Sequence, residues 1–188
     1  MDHLKSNISK CTKCAEFLAL GSNPIFKFSD TSSILLISQA PGRQAHYQNK
    51  AWDDPSGIRL KEWLGIPNHD FYTTKQFAIL PMAFCYPGKS KTGDLPPSPL
   101  CAPLWHQKIL KNIPDNHIKI LIGKYAQDYY LNDSHTLTKR VQNFKEYLPN
   151  YFPIPHPSPL NNIWLKKNPW FTTEVVPSLQ KLIQSKLR

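Results

Sequence analysis

Two loops and four cysteines carry the residue types from which a reaction centre could be built. In residues 153–162 (PIPHPSPLNN) prolines stand on both sides of His156 and fix the backbone, so the imidazole is held rather than mobile. A histidine clamped in this way beside Ser158, Leu160 and Asn161 suits phosphate contact and base contact together. In residues 38–57 (SQAPGRQAHYQNKAWDDPSG) Pro41 and Gly42 call for a tight turn that lets the backbone approach a ligand closely, and the same loop supplies His46, Trp52, Asp53 and Asp54. Taken singly, these residues have plainer uses. Asp54 and Ser56 suit the capping of a following helix, and Trp52 suits a core. Cys11 and Cys14 form a CxxC pair, while Cys85 and Cys101 flank a proline-rich stretch. In a reducing compartment such a set points to metal or redox chemistry ahead of disulfides.

The elements that must position these groups are legible from periodicity. Aliphatic or β-branched runs at 34–37 (ILLI), 77–80 (FAIL) and 118–122 (IKILI) have the length and type of buried strands, and 152–155 is a shorter candidate. Residues 57–64 place Ile58, Leu60, Trp63 and Leu64 at helical spacing before Gly65, and 104–113 and 136–148 are similar. Strands and helices alternate, which predicts an α/β fold: a three-layer α/β/α sandwich around a central, mostly parallel four-stranded sheet. In such sheets ligands bind beyond the carboxyl ends of the strands, where both loops begin. With no internal repeat or linker, residues 1–188 read as one domain.

Charge narrows the class of partner. Lys and Arg number 23 against 13 Asp and Glu, a formal net charge of +10, yet 40% of residues are hydrophobic and 12% aromatic. The chain is therefore a folded basic protein, and its excess charge favours a polyanion through counterion release, nucleic acid ahead of membrane. At 188 residues it can bury about 70% of its unfolded surface, which excludes a disulfide-stapled miniprotein. No apolar run approaches the roughly 20 residues of a membrane span, and charges and cysteines occupy the N-terminal stretch where a signal peptide carries its apolar segment. A cytoplasmic monomer is expected.

Taken together, an APG turn after the first strand (Ala40, Pro41, Gly42), a DxSG segment (Asp54 to Gly57) and a late HPSPL loop (156–160) resemble the uracil-DNA glycosylase superfamily. The first loop is most similar to that of the iron-sulfur glycosylases of families 4 and 5. The resemblance covers nearly the whole chain. It implies a DNA glycosylase that hydrolyses the N-glycosidic bond of uracil or another deaminated base, with Asp54 orienting water and His156 stabilising the leaving base. It implies a base pocket formed by Gln39, Ala40, Pro41, Gly42 and Trp52. It also implies DNA contacts from Arg43, Ser158, Leu160 and Asn161, with Leu160 filling the gap left by a flipped nucleotide. Cys11, Cys14, Cys85 and Cys101 have the ligand order of the [4Fe-4S] cluster in those families, and structural zinc is the alternative for four thiolates. A non-catalytic nucleic-acid-binding protein on the same fold is the rival reading.

Two departures bear on base choice. Gln39 stands where those families carry an acidic or apolar residue before APG, and Pro81 stands where they carry the asparagine that reads the pyrimidine edge. Proline offers no side-chain donor, so base reading is expected to shift to backbone groups and to Gln39.

Overall fold

A computed structural model describes residues 1–91 and 93–187. Helix α1 (Asp2–Ser9) leads to strand β1 (Ile34–Ile37), followed by helices α2 (Arg43–Gln48), α3 (Pro55–Leu64) and α4 (Asn68–Thr73). Strand β2 (Phe77–Ile79) and helix α5 (Cys101–Leu110) come next, then strand β3 (Ile118–Ile122), helix α6 (Lys124–Tyr130) and helix α7 (Leu137–Gln142). Strand β4 (Tyr151–Ile154), helix α8 (Asn162–Lys167), a π-helical turn (Phe171–Val175) and helix α9 (Val176–Leu187) complete the chain. The four strands form one sheet in the order β2-β1-β3-β4, and every pairing is parallel.

Two-residue periodicity divides β1 between two cores. Ile34 and Leu36 join a cluster with Leu60, Phe152, Phe171 and Leu179, whereas Leu35 and Ile37 join one with Ile8, Trp105, Ile109 and Ala126. Helices α3, α7 and α9 thus cover one face and α1, α5 and α6 the other, which gives the expected three layers. All four residues of β1 are buried, as in parallel sheets covered on both sides.

Strand positions follow the sequence reading closely, with β4 starting one residue earlier because Tyr151 pairs with Lys119. Pro153 is tolerated there because β4 is an edge strand, where one side of the backbone has no ladder to complete. The helices depart further. The expected helix at 136–148 ends at Gln142 and gives way to a 3₁₀ turn (Phe144–Tyr147), which delivers the Phe144 ring to Phe152 at 4.7 Å. The one at 104–113 begins three residues sooner, since Pro103 falls in the first turn, where its missing N–H costs nothing. Part of the presumed loop at 38–57 is helix α2.

Candidate active site

The carboxyl ends of β1, β2 and β4 open onto a cleft of about 330 Å³. Gln39, Ala40, Pro41, Gly42, Trp52, Asp54, Pro81, His156, Ser158, Leu160 and Asn161 line it. Two segments more than a hundred residues apart are thereby brought together, at the place where a parallel sheet exposes its ligand crevice. Arg43 lies outside this lining, exposed at the start of α2. Gly42 corrects an expectation: its φ is −77°, and an added Cβ would meet only the Asp94 carboxylate at 3.8 Å, so the turn does not require glycine for its backbone. His46 is not part of this lining, and its ring lies near those of Tyr47 and Tyr86.

The two neighbouring carboxylates have different fates. Asp53 pairs with Lys50 at 3.1 Å on the surface, whereas Asp54 both caps α3 and faces the cleft. Its Oδ1 accepts from the Gly57 amide at 2.7 Å, and its Oδ2 has no protein partner among the described residues. Capping thus orients the carboxylate rather than consuming it.

Trp52 is held in an uncommon conformation, with φ at +61°. A non-glycine residue there costs about 1–3 kcal/mol and persists only where its surroundings fix it. Its carbonyl accepts from the Lys61 ammonium at 3.0 Å and the Tyr72 hydroxyl at 2.9 Å. Burial lowers the Lys61 pKa and raises that of Tyr72 to about 12, so the tyrosine stays a neutral donor. Gly57 completes the arrangement: a Cβ there would fall 1.9 Å from the Trp52 carbonyl oxygen. Gly57→Ala should therefore cost at least about 2 kcal/mol by forced overpacking. An unchanged urea midpoint for that variant would contradict this contact.

His156 lies with its ring centroid 5.8 Å from that of Trp52, tilted by 34°. The Ser158 amide donates to Nδ1 at 3.2 Å, which places the imidazole proton on Nε2. Burial pushes the His156 pKa down to about 4 against the opposing pull of Asp54, so the ring is neutral near pH 7 and presents an Nε2–H donor. The Asn161 amide donates to the His156 carbonyl at 2.7 Å. Gly123, at the end of β3, makes room for the ring: its φ is +81°, and an added Cβ would stand 3.3 Å from the His156 Cβ. Arg59 on α3 donates to the carbonyls of Pro157 and Ser158 at 3.3 and 3.2 Å, tying the helix capped by Asp54 to the loop that carries His156.

Residues 26–180 match the uracil DNA glycosylase superfamily. The chain belongs to that superfamily. Its APG, DxSG and HPSPL segments all fall within the matched region, and the all-parallel sheet with helices on both faces agrees with this assignment. Sequence reasoning missed three groups on which the superfamily cleft depends here, namely Arg59, Lys61 and Tyr72. Only Lys61 left a trace, as a charge on the buried side of an otherwise apolar helical stripe.

The four cysteines line a second cavity together with Ser22, Phe84, Ser98 and Trp105. None of the four is joined in a disulfide. Burial raises Cys85 to about 11 and Cys101 to about 12, against an opposing backbone hydrogen bond to each sulfur. The Phe84 amide donates to Cys101 Sγ at 3.4 Å, and Cys14 Sγ lies 3.1 Å from the Ser98 hydroxyl. The Ser22 hydroxyl and the Trp105 indole N–H are buried without partners among the described residues, and both residues line this cavity. Unpartnered donors beside four thiols fit an anionic, sulfur-rich occupant. Among the described residues no group of three or more His, Cys, Asp or Glu side chains meets the geometry of a single-ion site.

Proposed function

We propose that this protein is a DNA glycosylase that hydrolyses the N-glycosidic bond of uracil, or of another deaminated base, flipped out of DNA. The convergence of Asp54 and a neutral His156 on one cleft beside Trp52 carries this reading. Bond cleavage develops negative charge on the leaving base and positive charge on the sugar. The His156 Nε2–H donates to a base carbonyl oxygen, a bond that strengthens as charge develops there. Asp54, held by its cap, orients a water with Oδ2 and offsets the oxocarbenium charge. Trp52 replaces the stacking the base loses in leaving the duplex.

Base recognition falls to Gln39. Its amide lines the cleft with no partner among the described residues, whereas the Met82 and Ala83 amides opposite are committed to the Ser38 and Gln39 carbonyls at 2.7 and 3.0 Å. Backbone donors on that wall are therefore already spent. One amide can pair with the adjacent N–H and C=O that uracil, hypoxanthine and xanthine share, so release of uracil and at least one deaminated purine is expected. Oligonucleotides bearing each base, incubated with anaerobically purified protein and then cleaved with alkali, test this. Strand cleavage at none of them favours the rival binding-protein reading.

DNA is engaged at the rim. Leu160 is 81% exposed in a 3₁₀ turn (Pro159–Asn161) whose first amides are capped by Ser158. An apolar side chain set so openly beside the cleft suits insertion into the space a flipped nucleotide vacates. Leu160→Ala should weaken binding to duplex more than to single strands, and affinity should fall steeply with salt as phosphate counterions are released. Equal losses on both substrates would remove Leu160 from this role. The same reading assigns Arg43 to phosphates outside the cleft, places the protein in the cytoplasm and makes it active as a monomer. No described helix is long and apolar enough to cross a membrane.

We further propose that Cys11, Cys14, Cys85 and Cys101, which line one cavity, hold a [4Fe-4S] cluster, with zinc as the alternative occupant. When bound, such a group supplies a structural crosslink between the N-terminal segment, the stretch after β2 and the start of α5.

A further inference from the structure

Behind the cleft wall at Pro81 lies a buried polar chain that the reaction itself does not use. His106 on α5 is 1% exposed within an otherwise apolar core. Its Nε2 lies 3.1 Å from the Pro81 carbonyl and its Nδ1 lies 2.7 Å from the Tyr130 hydroxyl. Because a carbonyl only accepts, the proton sits on Nε2, and Nδ1 accepts from Tyr130. The imidazole lies nearly parallel to the Phe84 ring, with centroids 5.8 Å apart at 25°, and to the Tyr130 ring, with centroids 6.0 Å apart at 22°. A polar group inside a core is costly unless every partner is met, and this ring satisfies both nitrogens in one geometry.

The chain ends where ordinary strand pairing fails. Beyond β2 the backbone keeps to its inner neighbour, with Leu80, Met82 and Ala83 donating to Leu36, Ser38 and Gln39. On the outer side Lys27 and Ile79 exchange both hydrogen bonds, but the next donor, Ile25, reaches past Pro81 to the Phe84 carbonyl at 2.7 Å. Pro81 has no N–H to continue that outer ladder. Its carbonyl is left to His106, which becomes the anchor for this part of the cleft wall.

We propose that His106, oriented by Tyr130, is a positioning residue for base selection: it fixes the Pro81 peptide and so the shape of the cleft wall beside Gln39. This rests on the cleft being a base pocket. The residues that perform the chemistry, Asp54 and His156, stand elsewhere on the cleft, so loss of the anchor changes which base fits more than it changes bond breaking. Burial holds His106 down to about 4, so the chain keeps one protonation state across the working range.

The test is equilibrium binding of free uracil and free hypoxanthine, followed by NMR through the Trp52 indole N–H, in the wild type, His106→Phe, His106→Gln and Tyr130→Phe. The ratio of the two dissociation constants should change at least fivefold in His106→Phe and in the same direction, by less, in Tyr130→Phe. Glutamine can still donate to the Pro81 carbonyl and should restore the ratio to within about twofold. Tyr130→Phe removes a single hydroxyl and keeps the question answerable if His106→Phe does not fold. An unchanged ratio in the folded variants, even with a lowered Tm, overturns the proposal, as does a wild type that binds neither base. Base binding without any release of base from oligonucleotides would overturn the glycosylase reading and leave the positioning role standing.

Discussion

Asp54→Asn and His156→Ala should each lower the single-turnover rate of base release at least about 100-fold, roughly 2.7 kcal/mol of transition-state stabilisation, in proteins that are expected still to fold. Asparagine is the informative replacement at position 54. It caps a helix about as well as aspartate, so the bond to the Gly57 amide survives and only the negative charge facing the cleft is lost. Asp54→Ala removes both and adds a stability cost of about 1 kcal/mol. If the two variants lose activity equally but differ in Tm, the two roles of Asp54 are separated. For His156 the pH profile is an independent check. Its folded pKa of about 4 lies below the unfolded value near 6.5, so the neutral donor persists as pH falls and is lost only on approaching pH 4. The rate should show no acid limb from this group between pH 8 and 5. A midpoint near 6.5 that disappears in His156→Ala would contradict the buried, neutral assignment.

Cys85→Ser should yield a protein that is colourless and largely insoluble, whereas the wild type, purified anaerobically, is expected to be brown with broad visible absorption and acid-labile sulfide. The expectation follows from where the thiols sit. Cys11 and Cys14 follow α1, Cys85 ends the stretch that leaves β2 past Pro81, and Cys101 begins α5, so one occupant crosslinks three segments that otherwise meet through the apolar core around Ile8, Phe84 and Trp105. In small zinc domains a structural metal contributes on the order of 10 kcal/mol to folding, comparable to the whole stability of a domain. Cys85 and Cys101 are half-buried, with pKa values raised by burial, beside two donors that have no partner among the described residues. Iron and sulfide analysis with visible absorption decides the matter. A colourless anaerobic preparation holding one equivalent of zinc would replace the cluster with a zinc site.

The strands were legible because buried parallel strands leave short aliphatic runs, and 34–37 and 118–122 coincide with β1 and β3. Helix limits were less so. Asn143 ends α7 because Phe144 must turn inward to Phe152, a tertiary demand with no local signal. At the site, the motifs located Asp54, Trp52 and His156, and the plainer uses weighed for them also hold: Asp54 caps α3, and Trp52 packs on the core while lining the cleft. What could not be read was the support. Arg59 reaches a loop nearly a hundred residues away, and His106 meets Pro81 and Tyr130 from separate elements. Such contacts depend on how helices pack, which periodicity alone does not encode.

The catalytic claim is tested most directly by quantifying free base by mass spectrometry after anaerobically purified protein, in excess, is mixed with an oligonucleotide containing a single uracil. One equivalent of uracil released by the wild type, with release at least about 100-fold slower from Asp54→Asn and His156→Ala, is the predicted result. Undetectable uracil, hypoxanthine and xanthine from matched substrates, or an undiminished rate in both variants, would contradict it.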